Sequence, residues 1–196
     1  MFSFTSTEKR DLLIGTSIFV LVELSIAIYD FNTLLELLIL GILIIPLWFF
    51  HELAHKFVAQ GYGLTSYFRL DPNMAIFSLF SIVPAFPVKI IAPGIVFSSG
   101  TYRPDTEARI AMAGPLLNIL LGGFFLFFST LMPLNFTNIL LFVSRVSIDL
   151  ALFNLIPFSV LDGAKVYRWH SGVFGVIMGI TVVLWLFHPF RGIFIV

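Results

Sequence analysis

The chain has 196 residues, of which 59% are apolar and 11% charged, with no net charge, no cysteine and a mean hydropathy of +1.02. Soluble domains carry roughly a quarter charged residues, so an ordinary soluble enzyme is excluded and an integral membrane protein is expected. The balanced charge leaves no footprint for nucleic acid, and the lack of cysteine rules out disulfides, thiolate metal sites and cysteine nucleophiles within the chain.

A bilayer span needs ~20 mostly apolar residues. The first such run, about 12–30, follows Lys9 and Arg10. It is too long for the core of a signal peptide and has no small-residue cleavage site, so it reads as a retained helix. The second, about 34–60, follows after a very short loop. The stretch about 70–100 is apolar but interrupted by Pro84, Pro87 and Pro93-Gly94, with Lys89 in its middle. Proline removes an amide donor and clashes one turn back, and non-helical backbone at membrane depth must be covered by protein or line a wet cavity. A re-entrant or short β insert packed over the site is expected here, a sixth span being the alternative. Three further helices follow at about 106–132, 137–157 and 170–188, the first two of them joined by a short loop and hence antiparallel. The expected fold class is an all-α polytopic membrane protein of about five transmembrane helices, in one domain over 1–196, with no internal repeat and no appended soluble domain.

With five spans, Lys9, Arg10, Lys56, Arg69, Lys89, Arg103, Arg109, Lys165 and Arg168 fall on one face and Arg191 on the other. Positive residues stay cytoplasmic. The N-terminus is therefore expected inside, as is the carboxy-terminal end of the second helix.

That helix contains His51-Glu52-Leu53-Ala54-His55. Residues four apart share a helix face, so both imidazoles reach one ion. Catalytic zinc keeps three protein ligands and a water, and Glu52 lies beside the ligands where it can take the water's proton. One Zn2+ per chain is expected, roughly 13 Å from the cytoplasmic helix end near Gln60 at 1.5 Å per residue. Ionisable groups inside a membrane are functional by default; the plainer reading is a polar cluster bonded to a neighbouring helix. Pro46, just upstream, is expected to bend the helix. Asp162 is the expected third ligand, because Pro157 breaks the fourth helix near the same leaflet and Asp162-Gly163 offers a turn. Its rival is Asp71, whose neighbours Pro72 and Asn73 read more simply as a polar turn.

The motif 51–55, the stretch Ala113-Gly114-Pro115-Leu116-Leu117-Asn118, and 154–163 with its Asn154, Pro157 and Asp162-Gly163 occur in this order. Together they resemble the site-2 protease family of intramembrane metalloproteases, over about residues 34–170. The resemblance implies a multi-pass zinc endopeptidase acting on transmembrane protein substrates, with His51, His55 and Asp162 as ligands and Glu52 as base. It further implies a functional Asn118, donating to the scissile carbonyl or its oxyanion, although a helix–helix hydrogen bond would explain that residue equally well. Asn154 is expected either to orient the Asp162 loop or to cap the fourth helix. Ala54, Val160 and Ala164 depart from residues common in the family, which touches the loop shape and not the ligands.

The remaining polar residues read as structural. Arg145 and Asp149 neutralise each other in the fourth helix, His170 is interfacial, His188 lies away from the zinc, and Gly172, Gly175 and Gly179 allow close helix approach. Glu23 has no obvious partner. The competing class is a membrane metal-ion transporter or carrier using His51, His55 and Asp162 as an ion site, against which the absence of repeat symmetry counts. Another is a zinc protease acting on prenylated tails, for which a longer helical bundle is expected.

Overall fold

The computed structural model describes residues 4–83, 93–100, 103–158 and 161–190, the Asn135 side chain excepted. The elements run α1 (Ser6–Ala27), α2 (Leu34–Gly61), β1 (Thr65–Leu70), α3 (Pro72–Phe80), β2 (Gly94–Ser99), α4 (Pro104–Ser129), α5 (Leu134–Asn154), α6 (Asp162–Trp169) and α7 (Ser171–Leu186). The starts follow from capping chemistry. Thr5 Oγ1 accepts the Glu8 amide, Thr33 and Glu36 form a reciprocal capping box, and Asp71 Oδ1 accepts from Asn73 and Met74 ahead of α3. Gly63, at φ 77°, turns the chain from α2 into β1.

One expected boundary needs adjustment. The first helix begins at residue 6 and not near 12, because Thr5 caps it and because Glu8 and Asp11 are buried against the rest of the protein. Among the described residues, three helices are long and apolar enough to cross a bilayer: Leu34–Gly61, Pro104–Ser129 and Phe136–Asn154. The α7 helix is apolar but has 16 residues, and α1 carries Glu8, Lys9, Arg10, Asp11 and Glu23 along its 22 residues. Of the insert expected at 70–100, the described residues form α3 and β2, with its partner strand β1 starting earlier, at 65. Pro84, Pro87, Lys89 and Arg191 lie outside the described residues.

The sheet is an antiparallel pair with Phe68 opposite Val96 and Leu70 opposite Gly94. Its buried face rests on α2 through Phe68, whose ring meets Trp48 edge-on at 5.3 Å. Trp48 in turn stacks on Phe19 of α1 at 6.5 Å and fills the space that Gly15 leaves: a Cβ there would come within 2.5 Å of the indole. Val22, Leu40, Ile44, Leu47 and Val143 complete the apolar core among α1, α2 and α5. Helices α4 and α5 pack closely at Gly122, where Ser144 Oγ donates to the glycine carbonyl at 2.7 Å. Leu38, Ile42, Leu120, Phe124 and Phe127 point outward and are exposed, which suits contact with lipid.

Arg145 and Asp149 pair as expected, at 3.0 Å, and also hold α7. Trp185 Nε1 donates to Asp149 at 2.7 Å and Arg145 donates to Trp185 O at 3.0 Å. Pro46 sits inside α2, which remains a single helix through it.

Candidate active site

Helix α2 presents His51 and His55 on one face, one turn apart, with their Nε2 atoms 3.1 Å from each other. Helix α6 brings its first residue to meet them. Asp162 Oδ2 lies 3.1 Å from His55 Nε2 and 3.8 Å from His51 Nε2. All three side chains are buried, and among the described residues they form the one group of three acidic, histidine or cysteine side chains able to hold a metal ion.

The chemistry of this donor set fits zinc. His55 Nδ1 lies 2.7 Å from the Ile110 carbonyl, which only accepts, so the proton of a neutral ring sits on Nδ1. The Nε2 lone pair then faces both a carboxylate oxygen and a second imidazole nitrogen. A cation among them turns that opposition into coordination, and two imidazole nitrogens with one carboxylate oxygen are a ligand set that catalytic zinc takes. Binding of the other ring nitrogen to a carbonyl is the usual support for such a histidine.

Two glycines shape the cradle. A Cβ at Gly114 would lie 2.6 Å from His51 Cε1 and Nε2 and against His55 Nε2. The α4 backbone therefore closes over the imidazoles only because this residue has no side chain. Gly163 does the same at the other ligand: a Cβ there would run into the Leu155 backbone, 2.8 Å from its Cα. That close approach of α6 to the end of α5 sets where Asp162 arrives. Its outer oxygen, Oδ1, faces Lys165 Nζ at 3.4 Å.

Two chambers of about 90 Å³ each adjoin the triad. The first is lined by His51, Glu52, His55, Gly94, Asn154 and Asp162, among others. The second meets it at His55, Asp162 and Lys165 and includes Val96, Ser98 and Glu107. Glu52 is thus beside the three converging donors and not among them. Asn154 lines the first chamber, and its Nδ2 donates to Leu150 O in its own helix at 3.0 Å. Asn118 is fully buried beside His51; its carbonyl accepts from Ser147 Oγ at 2.8 Å. Both of its side-chain polar atoms, and His51 Nδ1, lack a hydrogen bond among the described residues.

The other candidates are elsewhere. Asp71 caps α3 and does not join the cluster. His170 caps α7, its Nδ1 accepting from the Val173 amide at 3.2 Å. His188 is buried against Ser144 Oγ at 3.0 Å. Glu23 is buried, with Oε2 unpartnered among the described residues. Ile110 O and Lys165 carry no signal in the sequence pattern, whereas Gly114 lies within the 113–118 stretch.

No family model and no solved structure matches the chain. Two proteins of Methanocaldococcus jannaschii do. One, named "Putative zinc metalloprotease MJ0611", is 31% identical over 182 residues, covering 90% of this chain and 92% of the relative. The other, named "Zinc metalloprotease MJ0392", is 28% identical over 120 residues, which is 60% of this chain and 30% of that longer protein. Given a relative matched along nearly the whole of both chains and a donor set suited to the metal, this chain belongs to the zinc metalloprotease family, with zinc as its cofactor.

Proposed function

We propose that this metalloprotease is an intramembrane endopeptidase that cleaves transmembrane segments of membrane-protein substrates, as the site-2 protease family does. The observation that carries the reading is the convergence of His51, His55 and Asp162 on one point, with Glu52 in the adjoining chamber, on elements flanked by apolar helices. Five spans with the N-terminus in the cytoplasm would set the site nearer the cytoplasmic face, consistent with the basic residues on that side.

His51, His55 and Asp162 would hold the zinc, which would supply Lewis acidity and bring the pKa of water to about 7. Glu52 takes a proton from the attacking water and returns it to the leaving amine nitrogen. Lys165 holds the outer oxygen of Asp162. We assign Asn118 to the His51 ring, as acceptor for Nδ1–H, since its side chain lies beside that ring and its polar atoms and His51 Nδ1 have no other partner among the described residues; the alternative is donation to the substrate carbonyl. Asn154 stands at the chamber wall, where it ties off the end of α5.

A substrate helix shields its own carbonyls and has to unwind before it is cut. The freed amides need partners inside the membrane, and an exposed strand edge supplies them by strand addition. Small or helix-breaking residues near the cleavage point therefore favour cleavage.

The test is reconstitution in liposomes with a transmembrane substrate. The wild type cleaves, a chelator stops it, and Glu52→Gln keeps zinc but loses cleavage. Full cleavage by pure Glu52→Gln protein would overturn the base assignment, and metal flux without any cleavage would favour a carrier.

A further inference from the structure

The two edges of the small sheet are treated differently by the rest of the molecule. On the outer edge of β1, the Phe68 amide donates to Glu8 Oε1 at 3.0 Å and the Leu70 amide to Asp11 Oδ2 at 3.3 Å. Ser66 O on the same edge accepts from Gln60 Nε2 at 3.2 Å. Side chains of α1 and α2 thus stand where the backbone of a third strand would pair. Because hydrogen-bonded and non-hydrogen-bonded positions alternate in an antiparallel pair, Phe68 and Leu70 are non-hydrogen-bonded partners of Val96 and Gly94. Gly94, Val96 and Ser98 therefore turn their amides and carbonyls to the opposite edge. Among the described residues, nothing pairs with those groups. Gly94 lines the chamber that holds Glu52, and Val96 and Ser98 line the second chamber.

Glu8 has a second contact. Lys56 Nζ donates to both of its carboxylate oxygens, at 2.7 Å each. The pair is sealed, Lys56 being 0% and Glu8 2% exposed, and the Phe4 ring covers the ammonium at 3.6 Å. Lys56 directly follows His55, so one carboxylate joins the helix that carries two of the converging donors to the backbone of β1. A buried ion pair contributes little net stability compared with an apolar pair of the same volume. What this one specifies is a position.

We propose that Glu8, held by Lys56, is a positioning residue for substrate: it sets the height of the sheet against His51 and His55. With Glu8, Asp11 and Gln60 occupying the β1 edge, the β2 edge is the one that takes up an added peptide strand. This rests on the peptidase reading above, and its test is separable from it.

The experiment measures peptide binding by zinc-loaded full-length Glu52→Gln protein in bicelles, using a synthetic transmembrane peptide with a central Gly-Pro. Onto that background are placed Glu8→Leu/Lys56→Met, which replaces the pair by apolar groups, and Glu8→Gln/Lys56→Met, which keeps an acceptor for the Phe68 amide. The first is expected to weaken peptide binding about tenfold, to raise amide deuterium uptake across 65–70 and 94–99, and to leave zinc affinity unchanged. The second is expected to recover most of the binding. In the Glu52 parent, the same pairs should raise KM and spare kcat. Unchanged peptide affinity despite faster exchange would overturn the proposal, as would a parallel loss of zinc, which would make the pair a support of the fold. Failure of the wild type to cleave would count against the peptidase reading alone, because peptide affinity and exchange are read without turnover.

Discussion

Replacing Gly114 with Ala sets two effects against each other. By helix propensity alone, the change stabilises a helix interior by about 1 kcal/mol. The new Cβ, however, would lie 2.6 Å from two atoms of His51 and against His55 Nε2, where carbon contacts settle at about 3.5–4.0 Å. Both rings would have to retreat by roughly 1 Å, while zinc–nitrogen distances hold to within about 0.2 Å. A shift of α4 instead would strain the bonds by which Ser147 and Ser144 hold Asn118 and Gly122 to α5. The expected result is a folded protein of equal or higher thermal stability without metal, its zinc affinity reduced about 100-fold or more. Titration against a competing chelator in detergent, paired with a melting curve, measures both terms. Gly114→Ala protein that binds zinc as tightly as the parent would refute the packing argument.

Gly163→Ala should act on the opposite ligand: the collision with Leu155 pushes Asp162 away, so zinc content falls, and stability falls by about 1–3 kcal/mol, both visible by metal analysis and melting. Arg145→Met leaves the partly buried Asp149 with Trp185 as its donor among the described residues and should cost about 2–4 kcal/mol, below the full cost of a wholly buried charge; Arg145→Met/Asp149→Leu should recover most of it, and metal content should be unchanged in both. Dialysis against a chelator should abolish proteolysis and stoichiometric zinc restore it, whereas magnesium, an oxygen-seeking ion, should not.

The site was legible because its chemistry is local or punctuated. The four-residue spacing of His51 and His55 dictates a shared face, and Pro157 and Asp162-Gly163 mark a chain break that delivers a carboxylate. What pattern reading could not supply is distance. That Gly114 closes on the imidazoles, or that Lys165 reaches the far oxygen of Asp162, depends on how α4 and α6 pack against α2. The apolar run after Lys9 and Arg10 marks only the later part of the first helix; Glu8 and Asp11 belong to it because they are buried for their hydrogen bonds to β1 and, for Glu8, the ion pair with Lys56. The strand at 65–70 escaped because Thr65-Ser66-Tyr67 carries no apolar alternation, and its pairing with β2 is non-local.

The smallness of the two chambers bears on how such an enzyme would work. At about 90 Å³ each, they have room for only a handful of solvent molecules, and a peptide entering the one beside Glu52 expels most of those. Hydrolysis consumes a molecule at every cut, and the neighbouring compartment, which meets the first at His55, Asp162 and Lys165, is one place from which a replacement can come. A change at Glu107, which lines that compartment away from the β2 edge, then bears on turnover through the co-substrate and not through the polypeptide being cut.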